Sequence, residues 1–281
     1  MASTTSLQPH EFERPVLDLH GPAIQAALQV MVHGSEELGG IERYIDAVKL
    51  KSTMFRQALV ENPVEELDLE TFKGLCTFMA TVRRRVSDRL NEDAFAGMRD
   101  GIVELFDDAE HVDNRIGRFC DRFPQDKKHR WVRDLASELL HNADPERVPL
   151  MNRWIWDSKA NTGVIREIWH GDNVDHMTIN VADGYGTCLM LREELSRFLS
   201  DNGIFRDVLY YVDVLCAQIY AQYICEQGGS YLRADFSAPE DPMQHTRRLL
   251  GLDGVQPGDG RTRLKSIDGE AFVIDDSKTL N

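Results

Sequence analysis

A mainly α-helical globular bundle is the fold class this sequence predicts, with a central apolar helix, an irregular tryptophan-rich middle and an extended C-terminal tail. Three observations lead there. First, the stretch Ile204–Glu226 reads IFRDVLYYVDVLCAQIYAQYICE, and between Val208 and Cys225 its only formally charged side chain is Asp213. A surface helix shows a broad polar face, so a stretch like this in water has to be covered on most sides by neighbours. Second, the segments on the N-terminal side repeat apolar residues at intervals of three and four, the helical signature. Third, beyond residue 230 glycine, proline and aspartate interrupt every periodic run, as in Asp235–Pro242 and Gly251–Gly260. The chain therefore divides into an N-terminal arm over 1–15, a helical core domain over 16–230 and an irregular C-terminal appendage over 231–281.

The first helix runs from Gly21 to about Gly40, with Pro22 in the first turn, where a missing N–H costs little, and with Ile24, Leu28, Met31 and Val32 on one face. A second spans Ile41–Val60 through Tyr44, Ile45, Val48, Phe55 and Leu59, and Asn62–Pro63 stops it. Leu69–Leu90 makes a third, capped by Asp68 and buried through Leu75, Phe78, Met79, Val82 and Val86. Its run Arg83–Arg85 sits among many acids and reads as a solvated face. Asn91–Asn114 is acidic throughout. Within it Asp107, Glu110 and His111 have the spacing that gathers ligands on a helix, although a polar helix face that keeps the protein soluble or docks a basic partner is the preferred reading. Arg115–Phe123 continues the helical pattern, and Pro124–Lys128 is a turn at which the charge changes sign. Lys127, Lys128, Arg130 and Arg133 open the helix ending near His141.

Trp154, Trp156 and Trp169 lie in the least regular part, where large rings tie loops to a core or form a recognition surface. Met177–Val181 alternates as a short strand, Asp183–Gly186 turns, and Thr187–Leu199 is helical up to Asn202–Gly203. The apolar central helix follows and ends at Gly228–Gly229. In the tail, Gln244–Leu250 forms a turn or two and Ala271–Ile274 a short edge strand.

A net charge of −15 over 281 residues disfavours nucleic acid and anionic membrane surfaces. Arg206, Asp207, Asp213, Gln218 and Gln222 argue against membrane insertion of the apolar stretch. Five scattered cysteines without CxxC pairs, and an opening with no apolar signal core, fit a reducing cytoplasm.

Two Glu-x-x-His pairs invite a metal reading: Glu138–His141 and Glu167–His170. Carboxylate-bridged dimetal proteins use two such pairs from a helical bundle. Helix phase opposes this. At about 100° per residue, Val132, Leu135, Ala136 and Leu139 fall nearly opposite Glu138 and His141, so the pair is expected to face outward. Val164, Ile165, Ile168 and Trp169 place the second pair similarly. Asp172, Asp175 and His176 add oxygen and nitrogen donors nearby, a set that admits zinc, manganese or iron.

Asp213 is the polar group inside the central helix that most needs a partner, because an isolated buried charge is costly. Tyr220 and Arg206 are nearly in phase with it, and Tyr210 shares the same broad face. These residues either satisfy Asp213 structurally or border a pocket in which it acts as a general base or ligand-binding carboxylate. GxGxxG and GxSxG are both absent. The leading functional reading is a non-catalytic intracellular interaction or assembly protein with a basic protein partner or self-association. Two alternatives stand beside it. One is an oxidase or hydrolase using a divalent metal at Glu138, His141, Glu167, His170, Asp172 and His176. The other is a helical sensor for a small apolar ligand beside Asp213 and Tyr220.

Overall fold

A computed structural model describes residues 15–36, 39–86, 90–171, 173–232, 242–252, 255–256, 263–265 and 271–273. In chain order its helices are α1 (Gly21–Glu36), α2 (Glu42–Arg56), α3 (Leu69–Thr77), α4 (Arg83–Val86), α5 (Glu92–Phe106), α6 (Val112–Asp121), α7 (Trp131–Ala143), α8 (Val164–Glu167), α9 (Tyr185–Asp201), α10 (Val208–Leu232) and α11 (Pro242–Leu249). Three short antiparallel strands follow in the order β1 (Val255–Gln256), β2 (Arg263–Lys265) and β3 (Ala271–Val273). Apart from Pro15, the N-terminal arm lies outside the described residues.

Local chemistry sets several of the helix ends. The Asp68 carboxylate accepts from Thr71 N at 2.7 Å, and the Asn91 side chain accepts from Ala94 N at 2.9 Å, each satisfying an otherwise orphaned N–H at a helix start. Gly39 and Gly40 adopt φ of +93° and +92°, a region that suits glycine, and so turn the chain from α1 into α2. α2 relaxes through a π turn at Gln57–Glu61 before the extended Asn62 and Pro63 end it.

α10 is the bundle's axis. It packs against α1, α2, α8, α9 and α11. All residues from Val212 to Ile219 are buried, and none from Val208 to Cys225 is exposed. Val208–Glu226 is long and apolar enough to cross a membrane, with half of that window buried inside the protein. Its two most polar interior groups are engaged from within the bundle. Asp213 meets His141 of α7 at 3.0 Å, and Gln218 Oε1 accepts from Thr246 of α11 at 2.8 Å.

The boundaries of this helix differ from the sequence reading at both ends. It begins at Val208, after Asp207 takes a positive φ of 53°. Ile204–Asp207 therefore form the turn leading in. At the other end it continues through Gly228 and Gly229 to Leu232, since glycine weakens a helix by about 1 kcal/mol without forbidding it.

Four other expectations change. The helix predicted over Leu69–Leu90 opens after Thr77 and resumes only at Arg83–Val86. Asp107–Glu110 is a turn between α5 and α6, because α5 ends at Phe106. Met177–Val181 lacks a ladder partner among the described residues. It is held instead by the Asn161 side chain, which donates to Met177 O at 2.9 Å and accepts from Ile179 N at 3.0 Å. Finally, the tail is less irregular than a wholly unstructured appendage, since the turn or two expected at Gln244–Leu250 is the helix α11 over Pro242–Leu249. Met243, Thr246 and Leu250 recur at helical spacing and are buried, seating α11 on α10 and α1. The strand expected at Ala271–Ile274 is described over Ala271–Val273, and the rest of the tail lies outside the described residues.

The tryptophan-rich middle is a packing device. Trp154 and Trp156 are buried, and Trp156 Nε1 donates to Val181 O at 2.9 Å. Trp169 sits where the chain before α1 lies alongside residues 168–170, through His20 N to Ile168 O at 2.7 Å and His170 N to Asp18 O at 2.8 Å.

The break in the third predicted helix coincides with a close approach from the C-terminal segment. Gly251 has φ +72°, and a Cβ there would lie 1.9 Å from Phe78 O. Gly251→Ala is therefore expected to destabilise the protein by at least about 2 kcal/mol, combining left-handed strain with a backbone clash. Urea unfolding of the two proteins measures the difference.

Candidate functional site

Lys51 lies on the same helical stripe as Tyr44, Val48 and Phe55, so folding α2 against α7 carries its ammonium inward, where it is only 5% exposed. α7 is enclosed almost all round. Its apolar stripe of Val132, Leu135, Ala136 and Leu139 is buried, and so are Asp134, Ser137, Glu138, His141 and Asn142 on its other sides. The outward orientation predicted for Glu138 and His141 is thus incorrect. Apolar phase identifies the most greasy face of a helix, but α2, α10 and the chain at Leu250 cover the polar one as well.

Each charge brought inside has partners. Lys51 Nζ donates to Glu138 Oε2 at 2.8 Å and to Leu250 O at 3.0 Å. Glu138 also accepts from Asn142 Nδ2 at 3.0 Å and from Asn152 Nδ2 at 2.9 Å. One helical turn on, His141 Nδ1 faces Val148 O at 2.9 Å and Nε2 faces Asp213 Oδ2 at 3.0 Å. A carbonyl and a carboxylate both accept, so a ring that satisfies both must donate from both nitrogens, which makes it an imidazolium. Burial pushes His141 down, but the Asp213 charge, the hydrogen bond to it and the Val148 carbonyl outweigh burial and hold the imidazole above its ordinary value. Two ion pairs therefore lie side by side, Lys51–Glu138 and His141–Asp213.

Smaller bonds lock the frame around them. Ser52 Oγ donates to Asn142 O at 2.8 Å, and Met151 N donates to Ser137 Oγ at 2.9 Å. Asp134, near the start of α7, accepts from Arg153 Nη2 at 2.7 Å and from Arg153 N at 3.0 Å. Space beside the pairs amounts to about 10 Å³, bordered by Val48, Lys51, Glu138, His141, Asn142, Leu150, Asp213, Leu249 and Leu250. That is at or below what one water needs.

The other predicted site residues lie elsewhere. His170 is exposed, 3.6 Å from the equally exposed Asp18, and stacks loosely on His20. Glu167 is half-buried on the four-residue α8, and His176 is exposed in a single 3₁₀ turn. Asp172 lies outside the described residues. The two Glu-x-x-His pairs do not converge, and no group of three or more His, Cys, Asp or Glu among the described residues is arranged to hold a metal ion. In the α5–α6 turn, Glu110 pairs with Arg118 at 3.1 Å while Asp107 accepts from Ala109 N at 3.1 Å, so the two carboxylates of the Asp107, Glu110 and His111 set are engaged separately.

Asp213 does not use the partners predicted for it. Arg206 is exposed and precedes α10, which removes it from the helical phase that linked it to Asp213. Tyr210 is half-buried, and Tyr220 lies between Trp154 and Tyr223 at ring-centroid distances of 6.0 and 5.7 Å. Sequence reasoning missed His141 as the partner of Asp213 and Lys51 as the partner of Glu138. Lys51 was detectable, since it interrupts an otherwise apolar stripe in phase with it.

None of the cysteines is disulfide-bonded. Burial pushes the Cys120 thiol up to about 11 and Cys188 to about 12, and raises Cys76 and Cys216 as well, which leaves these four poor nucleophiles. No family model matches the chain, and no curated protein or solved structure matches it either.

Two outcomes follow from the paired charges. Lys51→Met leaves Glu138 buried without its cation and is expected to cost about 3–5 kcal/mol. The double variant Lys51→Met/Glu138→Gln should recover part of that loss in chemical denaturation. Because the folded-state value of His141 is raised, its stabilisation is complete below its ordinary value of 6.5 and is lost as pH rises through the folded-state value. Unfolding free energy measured across neutral to alkaline pH should fall in the parent protein and fall less in His141→Gln.

Proposed function

We propose that this chain is a non-catalytic protein-interaction or assembly domain, whose interior charges fix how its helices pack. The observation that supports this best is the saturation of its most enzyme-like residues. Glu138, His141 and Asp213 are each hydrogen-bonded, buried and bordered by about 10 Å³ of space. A general acid or base must reach a proton on its substrate, and these groups are engaged by partners inside the fold.

The same lack of room counts against a small-ligand sensor beside Asp213. The formal charge of −15 favours a partner with a basic face, or a second copy joined through uncharged surface, over nucleic acid. Five scattered cysteines without CxxC pairs support a reducing compartment such as the cytoplasm.

Metal analysis and unfolding together test this reading. Freshly purified protein should carry less than stoichiometric transition metal, and Asp213→Asn should lower the unfolding midpoint, as loss of a structural pair does. Stoichiometric metal that disappears from Glu138→Ala/Glu167→Ala would overturn the proposal in favour of a metal-dependent oxidase or hydrolase.

A further inference from the structure

Where α6 gives way to α7, the chain forms an open cleft of about 590 Å³, within the roughly 300–1,000 Å³ typical of small-molecule sites. Its charge is opposite to that of the whole protein. Five basic side chains, Lys127, Arg130, Arg133, Arg153 and Lys159, face three carboxylates, Asp126, Asp157 and Asp183. The local balance is two positive charges, in a chain whose total is −15. Counting the buried Asp134 beneath Arg153 still leaves one in excess.

The pairing pattern shows where the surplus sits. Arg130 is matched to Asp157 at 2.5 Å, Arg133 to Asp183 at 2.5 Å and Arg153 to Asp134 at 2.7 Å. Asp126 is occupied by the turn itself, accepting from Lys128 N and from both His129 N and Nδ1. Lys127 and Lys159 are exposed, line the cleft and form no ion pair among the described residues. The three arginines are therefore held in place by carboxylates, and the two lysines supply exposed ammonium groups without an ion pair among the described residues.

Two further features fit an anion with an organic body. Arg130, at the N-cap of the 13-residue α7, provides no side-chain cap, and Arg130, Val132 and Arg133 of this terminus line the cleft. Helix starts carry partial positive charge. Phe123, Pro124 and Ala160 add apolar wall.

We propose that this cleft is a binding site for a small organic anion, a phosphate or carboxylate group carried on an apolar or aromatic body. Its anionic end is held by Lys127 and Lys159 against the α7 terminus, and its body rests on Phe123 and Pro124. The site is separate from the buried Lys51–Glu138 and His141–Asp213 pairs, and the proposal goes beyond the interaction-domain reading without depending on it.

Calorimetric titration of the full chain at fixed ionic strength tests it, with phenyl phosphate, inorganic phosphate and phenol as the probes. Phenyl phosphate should bind saturably at one site, about tenfold more tightly than inorganic phosphate, while phenol should give no saturable heat. Lys127→Gln/Lys159→Gln should weaken phenyl phosphate at least tenfold with an unchanged melting temperature, since neither lysine holds an ion pair within the fold. Arg197→Gln, on the exposed face of α9, controls for general loss of positive charge and should leave binding intact. Absence of saturable phenyl phosphate binding, or equal affinity in the parent and the double lysine variant, would overturn the assignment.

Discussion

Burying α10 is the constraint on which the rest of the structure depends. A helix apolar on nearly every side gains most by being surrounded, and each Å² of apolar surface withdrawn from water contributes on the order of 25 cal/mol. Asp213 is carried into the core with it, 5% exposed. An unpaired carboxylate there would oppose the burial that the surrounding valines, leucines and alanines drive. His141 of α7 resolves the conflict at 3.0 Å. Because α7 must present His141 at that depth, it also carries Glu138 inside, and Glu138 in turn needs Lys51 of α2. One buried charge thus sets the mutual position of three helices.

Such ion pairs are not a simple source of stability, because desolvation offsets much of the attraction. Their effect is geometric. A shift of α7 along α10 by one turn would part His141 from Asp213 and Lys51 from Glu138 together, whereas leucines sliding over valines lose far less. Leu250 accepts from the same Lys51 that holds Glu138, so the segment after α11 is tied into this arrangement. Gly251 then permits the close approach to Phe78. Charge distribution elsewhere follows another logic, with acidic residues over much of the chain and a basic surplus collected at the cleft beside the N-terminus of α7.

Much of the architecture was legible in the residues. α1, α2 and α9 could be read from apolar spacing, the Asp68 cap from its position before a periodic run, and the burial of α10 from its lack of a polar face. The candidate site was less legible. Glu138 and His141 stood out by type and spacing, but helix phase put them on the surface, since phase ranks the faces of one helix and is blind to how many neighbours enclose it. The phase between Arg206 and Asp213 requires a helix starting at Ile204, and the left-handed Asp207 removes that premise. The second pair, Glu167–His170, lies on and just beyond a single helical turn at the surface, where an i,i+3 spacing has little consequence.

The sequence by itself determined that this chain is mainly helical and that one helix is buried, because hydrophobic periodicity and its absence are local properties written along the chain. It also determined that Asp213 needed a partner, since the cost of an isolated buried charge depends only on burial. Which residue met that need was decided by the tertiary structure alone. His141 and Asp213 are far apart in the chain, as are Lys51 and Glu138, and contacts of that kind depend on how whole helices dock, a property that no local pattern encodes.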